Sequence, residues 1–544
     1  MKSRINSLGV FLMILMALVL SACGGGGGGG SAPPPTDDPG TSSAVIAGFD
    51  FTLQQGDFWE YAWVYHQSTT SADGNSGESD VGTFRITLGI PETIDGHTAF
   101  PLIVSGKRTD PGGFTYAQNL THVALEANQI MVSKDGATLQ AIFDASTGLA
   151  TGGFFAPLGL VSAVAATSVA VDNQFVKGTT AYRVGGSTDD PLCDNILGET
   201  ICGDDASSIT QYEYYKAGLG PISYYLLTTN TYTGGGYTTY HRTERILGIV
   251  DSSLSASDGF NPAAAPWRIK SEIPIADFDA WFAGGAALNG KIYVVYNGEL
   301  HIYDPATDSW TQGADMTTPG IYYPVALVND DHLKVFQGGD IFTYDSANDQ
   351  WSHLSNQFTF GAGLQQYAVA KLQYNGVDAY GVFLDSDSVN INFYDLAYGS
   401  TVTWSSYPGA GESYRSQAIY NEKIYIFGGS HYTTGFTYYD QCYTVDPWAS
   451  TASWVSLSPM PTARSGASAV VAGDKIYVIG GNGDSSGNAP YAVEAYDPQT
   501  DSWTVKSSSL LGFGFGLAFE VGGKIYLIDD GPGYVLEYNP AVDQ

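Results

Sequence analysis

Lys475-Ile-Tyr-Val-Ile-Gly-Gly481, followed by Ala495-Tyr-Asp-Pro-Gln-Thr-Asp-Ser-Trp503, is one copy of a unit that recurs along the second half of this chain. Gly290-Lys-Ile-Tyr-Val294 leads in the same way to Ile302-Tyr-Asp-Pro-Ala-Thr-Asp-Ser-Trp310, and Lys423-Ile-Tyr-Ile-Phe-Gly-Gly429 to Tyr443 and Trp454. Looser copies place Gly338-Gly339, Tyr344-Asp345 and Trp351 together, then Tyr394-Asp395 and Trp404. The last copy has Gly523-Lys-Ile-Tyr-Leu527 and Tyr538 but stops at Leu536-Glu-Tyr-Asn-Pro540, short of a Trp-bearing element. That element stands near the start of the region, as Pro266-Trp-Arg-Ile-Lys270. Such a permutation suits a ring whose first and last segments share one sheet. The tyrosines at 303, 344, 394, 443, 496 and 538 recur at roughly 40–50 residues, the interval of one propeller blade. Six tyrosines predict six blades.

Each copy has a local logic. Lys475-Ile-Tyr-Val-Ile reads as a strand of period two, and the glycines turn the chain where side chains would crowd. Asp-Pro-x-Thr-Asp-Ser is a tight turn in which proline presets φ and aspartate caps nearby amides. Tyr303, Trp310, Tyr496 and Trp503 read as structural: flat bodies between sheets, each with one polar atom needing a partner. The strand ending in Gly-Gly, the Tyr-Asp turn and the Trp at fixed offset together resemble the kelch family across about residues 267–544. Several copies depart from its pattern at the glycine pair. The resemblance implies an all-β fold: a six-bladed kelch-like β-propeller over residues 263–544, closed by the strand near 267–271.

A separate β-rich domain is expected over residues 46–262. Gly56-Asp-Phe-Trp-Glu-Tyr61, Ile209-Thr-Gln-Tyr-Glu-Tyr-Tyr215 and Thr238-Thr-Tyr-His-Arg-Thr-Glu-Arg-Ile246 are aromatic and β-branched, as antiparallel strands are. Its early Gly-x-x-Trp-x-Tyr and late Thr-Glu-Arg resemble a β-rich domain of bacterial lipoproteins. The apolar stretch Leu149 to Ala170 is interrupted by Gly and Pro and reads as a buried loop or strand pair, not a membrane span. Before it, Lys2 and Arg4, the apolar run Leu8 to Leu20 and Leu20-Ser-Ala-Cys23 resemble a lipoprotein signal of residues 1–22. The resemblance implies lipidation of Cys23 and a lipid-anchored place in the bacterial cell envelope, at the outer membrane where one exists. Residues 23–45, rich in Gly and Pro, are then a tether. Cys193 and Cys202 enclose a short loop and are expected to form a disulfide bond; Cys442 is left over as a core thiol.

With 55 Asp and Glu against 22 Lys and Arg, the chain has a formal charge of −33. Nucleic acid is therefore excluded as a partner, because no basic stripe answers the phosphates. Acidic loops at Asp189-Asp190 with Asp194, at Asp204-Asp205 and at Asp385-Ser-Asp387 offer hard oxygens, so calcium is possible, but no metal ligand set is assigned and no cofactor is required. His301, His332, His353 and His431 do not announce a converging copper pair, and no Gly-x-Ser-x-Gly elbow is present. The candidate ligand-binding residues precede the inner strands: Arg415 and Arg464, with Trp281, Tyr322 and Tyr323. An arginine fork suits a carboxylate, and a flat ring covers the apolar face of a sugar. The expected function is recognition or adhesion at the envelope, with a glycan, an anionic small molecule or a surface protein as ligand. The alternatives are a carbohydrate-active enzyme such as a sialate-type epimerase, and a non-catalytic envelope scaffold.

Overall fold

The computed structural model describes residues 49 and 51–543, except 72–73, 119, 127, 156–163, 189–206, 235–236, 277, 317–323, 330, 338–339, 356–365, 375–376, 386–390, 396–399, 405–413, 434, 447–452, 484–490, 513, 515 and 530–532. For 71, 74–77, 207, 232–234, 237–238, 281, 329 and the described part of 366–404 the backbone alone is described. The signal, Cys23, the tether, Tyr322, Tyr323, Cys193 and Cys202 lie outside the described residues. The chain divides into two compact units at Pro266/Trp267.

The first unit is one 14-stranded antiparallel sheet. Its order begins with Thr167–Val171 and ends with Val164–Ala165, strands separated by Ala166 alone, so the sheet curls until it nearly closes. The short strands Leu149–Ala150 and Val164–Ala165 pair with each other. Side chains fill the inside. Trp59, Tyr61, Trp63, Phe154, Phe155, Tyr215 and Tyr224 are all buried, with Glu213 among them. Glu213 accepts hydrogen bonds from the Phe154 and Phe155 amides, both 2.7 Å, and from Tyr215 Oη, 2.6 Å. Arg245, opposite Tyr65, forms a buried ion pair with Asp110 at 2.5 Å, its guanidinium 5.1 Å from the ring centres of both Tyr65 and Phe114. The charges are thus paired before they are buried, the condition under which burial is tolerated.

The second unit is built of four-stranded antiparallel sheets. The first sheet holds Ala283–Leu288, Lys291–Tyr296, Glu299–Asp304 and Ser309–Gln312. The second holds Val325–Asn329, His332–Gln337, Asp340–Asp345 and Gln350–Leu354. The third holds Gln366–Tyr374, Val377–Asp385, Ile391–Asp395 and Ser400–Trp404. The fourth holds Ser416–Tyr420, Lys423–Phe427, Cys442–Val445 and Val455–Leu457. The fifth holds Ser468–Ala472, Lys475–Ile479, Val493–Asp497 and Ser502–Val505. The last holds Leu517–Val521, Lys524–Ile528 and Val535–Tyr538, with Trp267–Lys270 as its outer strand, Trp267 opposite Tyr538.

Neighbouring sheets meet face to face. Ile476 and Val478 meet Tyr425, Phe427 and Met460 of the fourth sheet's side, whereas Tyr477 between them turns to Tyr538 of the last sheet. Period two is therefore present as a choice of neighbour, not as apolar against wet. A repeated staple fixes each junction. Tyr303, Tyr344, Tyr496 and Tyr538 donate to the carboxylates of Asp308, Asp349, Asp501 and Asp543 at 2.7, 2.7, 2.8 and 2.7 Å. The same four carboxylates accept the backbone N–H of Ser271, Ala314, Ser458 and Ser507, which belong to the connectors arriving from the previous sheet. The indoles of Trp310, Trp351, Trp503 and Trp267 donate to the carbonyls of those same four residues at 3.1, 2.7, 2.9 and 3.4 Å.

The staple also corrects the blade count. Five residues after its tyrosine, the third copy has Gly399 and the fourth Trp448, so neither can offer that carboxylate. Stapled junctions run from the fourth sheet through the fifth, last and first to the second. Inner strands neighbour one another in that order too, and the third sheet's inner strand lies beside the second's. No comparable contact between the inner strands of the third and fourth sheets is described. A regular six-bladed kelch-like ring is thus not what the described residues support. They support a five-bladed propeller-like arrangement, with the third sheet adjoining the second, preceded by a separate, nearly closed sheet. Counting tyrosines counts repeats; it does not count junctions. The expected disulfide bond is not found among the described residues, where Cys442 is a buried free thiol; Cys193 and Cys202 lie outside them.

Trp267 is fully buried and lies 4.7 Å from the Tyr538 ring. Trp267→Ala should destabilise the second unit by about 3–5 kcal/mol, the usual cost of truncating a buried Trp. Urea unfolding followed by fluorescence checks it; a loss under about 1 kcal/mol would show that this outer strand does not hold the last sheet.

Candidate functional site

In the fourth sheet Ser416 lies opposite Phe427, and Phe427 opposite Cys442. In the fifth, Ser468 lies opposite Ile479, and Ile479 opposite Val493. The chain therefore enters each inner strand, leaves the second strand and starts the third at one common end, here the leading end. Two sheets are joined there. The Gly466 N–H donates to the Tyr414 carbonyl at 2.6 Å, and Ser416 Oγ to the Ala467 carbonyl at 2.7 Å. Arg415 and Arg464 thus stand on adjoining segments.

They do not stand there as two open cations. Arg464 is 1% exposed. Its guanidinium donates to Glu494 Oε2 at 2.6 Å and to the carbonyls of Thr462 and Val478, both 3.1 Å. Glu494, equally buried, also accepts from Thr462 Oγ1 at 2.7 Å. Burial pulls the Arg464 guanidinium below its ordinary value, and the Glu494 carboxylate opposes that shift. The expectation that Arg464 grips an anionic ligand is not met by this geometry: its two terminal nitrogens are held by Glu494 and by carbonyls of the protein, while its buried Nε makes no hydrogen bond among the described residues. Nothing around Arg464 in the sequence pointed to Glu494, thirty positions away, as its partner. Arg415 is half-buried beside it.

Trp281 lies in the short 3₁₀ turn Ala280–Phe282, just before the first sheet's inner strand, and its side chain is not described. His301 contacts Glu299, and His353 contacts Asp340 while stacking on Phe342, each pair within its own sheet. Among the described residues no group of three His, Cys, Asp or Glu side chains converges; most of the acidic loops considered for calcium lie outside them. Cys442 is a poor nucleophile: burial pushes its thiol up to about 12.

The feature not anticipated from the residues is a hairpin at the leading end of the fourth sheet. Ser430–Tyr432 pairs with Phe436–Tyr438 between that sheet's second and third strands. Its base is held on both sides. The Gly429 N–H donates to the Arg464 carbonyl at 2.9 Å, the Tyr439 N–H to Gly429 at 2.9 Å, and the Arg464 N–H to Tyr439 at 3.1 Å. Gly428 is required below it: φ is +60°, and a Cβ would come 2.2 Å from the Arg464 carbonyl oxygen. Tyr432 is opposite Phe436, and Ser430 opposite Tyr438, so the three rings share one face. Their centres are 5.0 Å apart for Tyr432 and Phe436 and 6.0 Å apart for Phe436 and Tyr438. Tyr432 is 61% and Phe436 50% exposed. The sequence signal was available in the β-forming residues around Gly435.

A family model described as the kelch motif matches residues 463–509, the fifth sheet with the segment that carries Arg464. The C-terminal unit is a kelch-repeat, propeller-like domain. "Kelch-like protein terF" of Aspergillus terreus is 24% identical over 43% of this chain and 43% of its own length. "Kelch-like protein 23" of Homo sapiens is 24% identical over 60% of this chain and 48% of its own. The chain spans less than half the length of these curated relatives. The solved "Structure of YjhT" overlaps with 49% of this chain and 95% of its own, at 14% identity and a TM-score of 0.38. The relationship to kelch-like proteins is distant, and the fold is one suited to protein–protein or ligand interaction. These likenesses support the kelch relationship alone and give no support to the expected bacterial lipoprotein or outer-membrane character.

Arg464→Met should destabilise the second unit by about 3–5 kcal/mol, because Glu494 is left buried without its counter-charge. Arg464→Met with Glu494→Leu should recover most of that loss. Urea denaturation checks both; a double variant no better than the single would show that the pair is not the origin of the cost.

Proposed function

We propose that this protein is a recognition module that binds a carbohydrate or protein ligand at the leading end of its fourth and fifth sheets. The observation that carries the reading is the aromatic face of the Ser430–Tyr438 hairpin. Leaving a ring that size half in water forgoes on the order of 1 kcal/mol of burial, and two touching rings do so here. A contiguous exposed apolar surface rimmed by polar residues is the mark of a contact site. The buried polar groups beneath it favour contact over chemistry, since Arg464 and Glu494 are committed to each other. Nothing in this arrangement favours the epimerase alternative, which needs open polar groups around an anionic sugar.

The test compares the wild-type protein with Tyr432→Ala/Phe436→Ala, immobilised, against a glycan array and an extract of the source cells. The double variant should lose a ligand that the wild type retains, with unfolding unchanged because both side chains are exposed. Identical ligand sets for the two proteins would overturn the proposal.

A further inference from the structure

We infer that the ligand of the aromatic hairpin is a neutral glycan, its sugar rings lying on Tyr432, Phe436 and Tyr438. This rests on the recognition reading above and narrows it.

Footprint decides first. A large aromatic side chain buries about 150–250 Å² when fully covered. Tyr432 and Phe436 are already partly covered and Tyr438 more so, so the three rings offer roughly half of the sum, on the order of 300 Å². A stable protein partner needs about 800 Å² on each side. A sugar needs only a flat ring. The C–H bonds on a pyranose face are apolar and weakly positive, and the face of an aromatic ring carries negative quadrupole charge. The sugar hydroxyls project from the ring edge towards solvent, since His431 and Thr437 turn to the other face of the hairpin.

Charge decides second. From Gly428 to Tyr439 there is no Asp, Glu, Lys or Arg, although the whole chain carries −33. The face holds no counter-charge for an ionic ligand, and the surrounding field disfavours an anionic one. Arg464, beneath the hairpin, is closed by Glu494. Preorganisation comes third. The three backbone bonds among Gly429, Tyr439 and Arg464 hold the hairpin base, and a platform fixed before binding loses little entropy on binding.

Affinity electrophoresis tests the inference on the full chain. Native gels contain hydroxyethylcellulose, laminarin or galactomannan as neutral probes, and polygalacturonate as the acidic one. The wild type should be retarded in at least one neutral gel and not in polygalacturonate. Tyr432→Ala/Phe436→Ala should lose the retardation with its circular dichroism unchanged, and Tyr432→Phe, which keeps the ring, should retain it. Three results overturn the inference: no retardation in any neutral gel, equal retardation of wild type and double variant, or retardation by polygalacturonate alone. If neutral gels fail while the double variant still loses a ligand in the array and extract comparison, the glycan falls and recognition stands. If it loses nothing there, both fall.

Discussion

The second unit depends on one carboxylate used twice. Each of Asp308, Asp349, Asp501 and Asp543 accepts a tyrosine hydroxyl from its own sheet and a backbone N–H from the connector of the sheet before. A hydrogen bond to a charged group contributes about 1.5–3 kcal/mol, and here two share one anion. Three of these aspartates sit at positive φ, near +50°, where Asp is among the residues tolerated. Burial comes first, and the adjoining carboxylate adds to it, in pushing Tyr303, Tyr344, Tyr496 and Tyr538 well above the ordinary phenol value. They therefore remain protonated donors throughout the physiological range.

The junction between the fourth and fifth sheets is held at both ends. At the trailing end it has the staple of Asp501; at the leading end it has Arg464 and Glu494. The second fastening coincides with the one described hairpin that rises from a leading end. A two-stranded hairpin is marginal by itself, and this one puts its rings outward, where they stabilise it little. Its backbone bonds to Arg464 supply what its own two strands do not. Stability of the sheet and support of the aromatic hairpin are thus two uses of one residue. This is why an arginine that looks like a ligand-binding group in the sequence serves as an inner fastening.

The aromatic and β-branched repeat, the turn chemistry and the Trp-bearing element missing from the last copy are local or periodic properties, and the residues state them. Trp267 opposite Tyr538 is legible for that reason. So is the structural role of Tyr303, Trp310, Tyr496 and Trp503, since a flat ring with one polar atom can do little else in a packed sheet. The number of joined blades is not legible in the same way. It depends on whether a carboxylate stands five residues beyond each tyrosine and on what lies across the junction, and the third and fourth copies lack that carboxylate while keeping the tyrosine.

The candidate site divides likewise. Sequence alone determined that segments before the inner strands gather at one end, because four antiparallel strands return the chain there each time. Only the tertiary structure decided which side chains are open at that end. Arg464 meets Glu494 because the segment entering the fifth sheet passes the start of that sheet's third strand, which brings positions thirty apart within 2.6 Å, and Tyr432 and Phe436 remain 61% and 50% exposed on their hairpin. A charge or a ring in a sequence carries a chemistry; what it contacts is fixed by distances that exist only after the chain has folded.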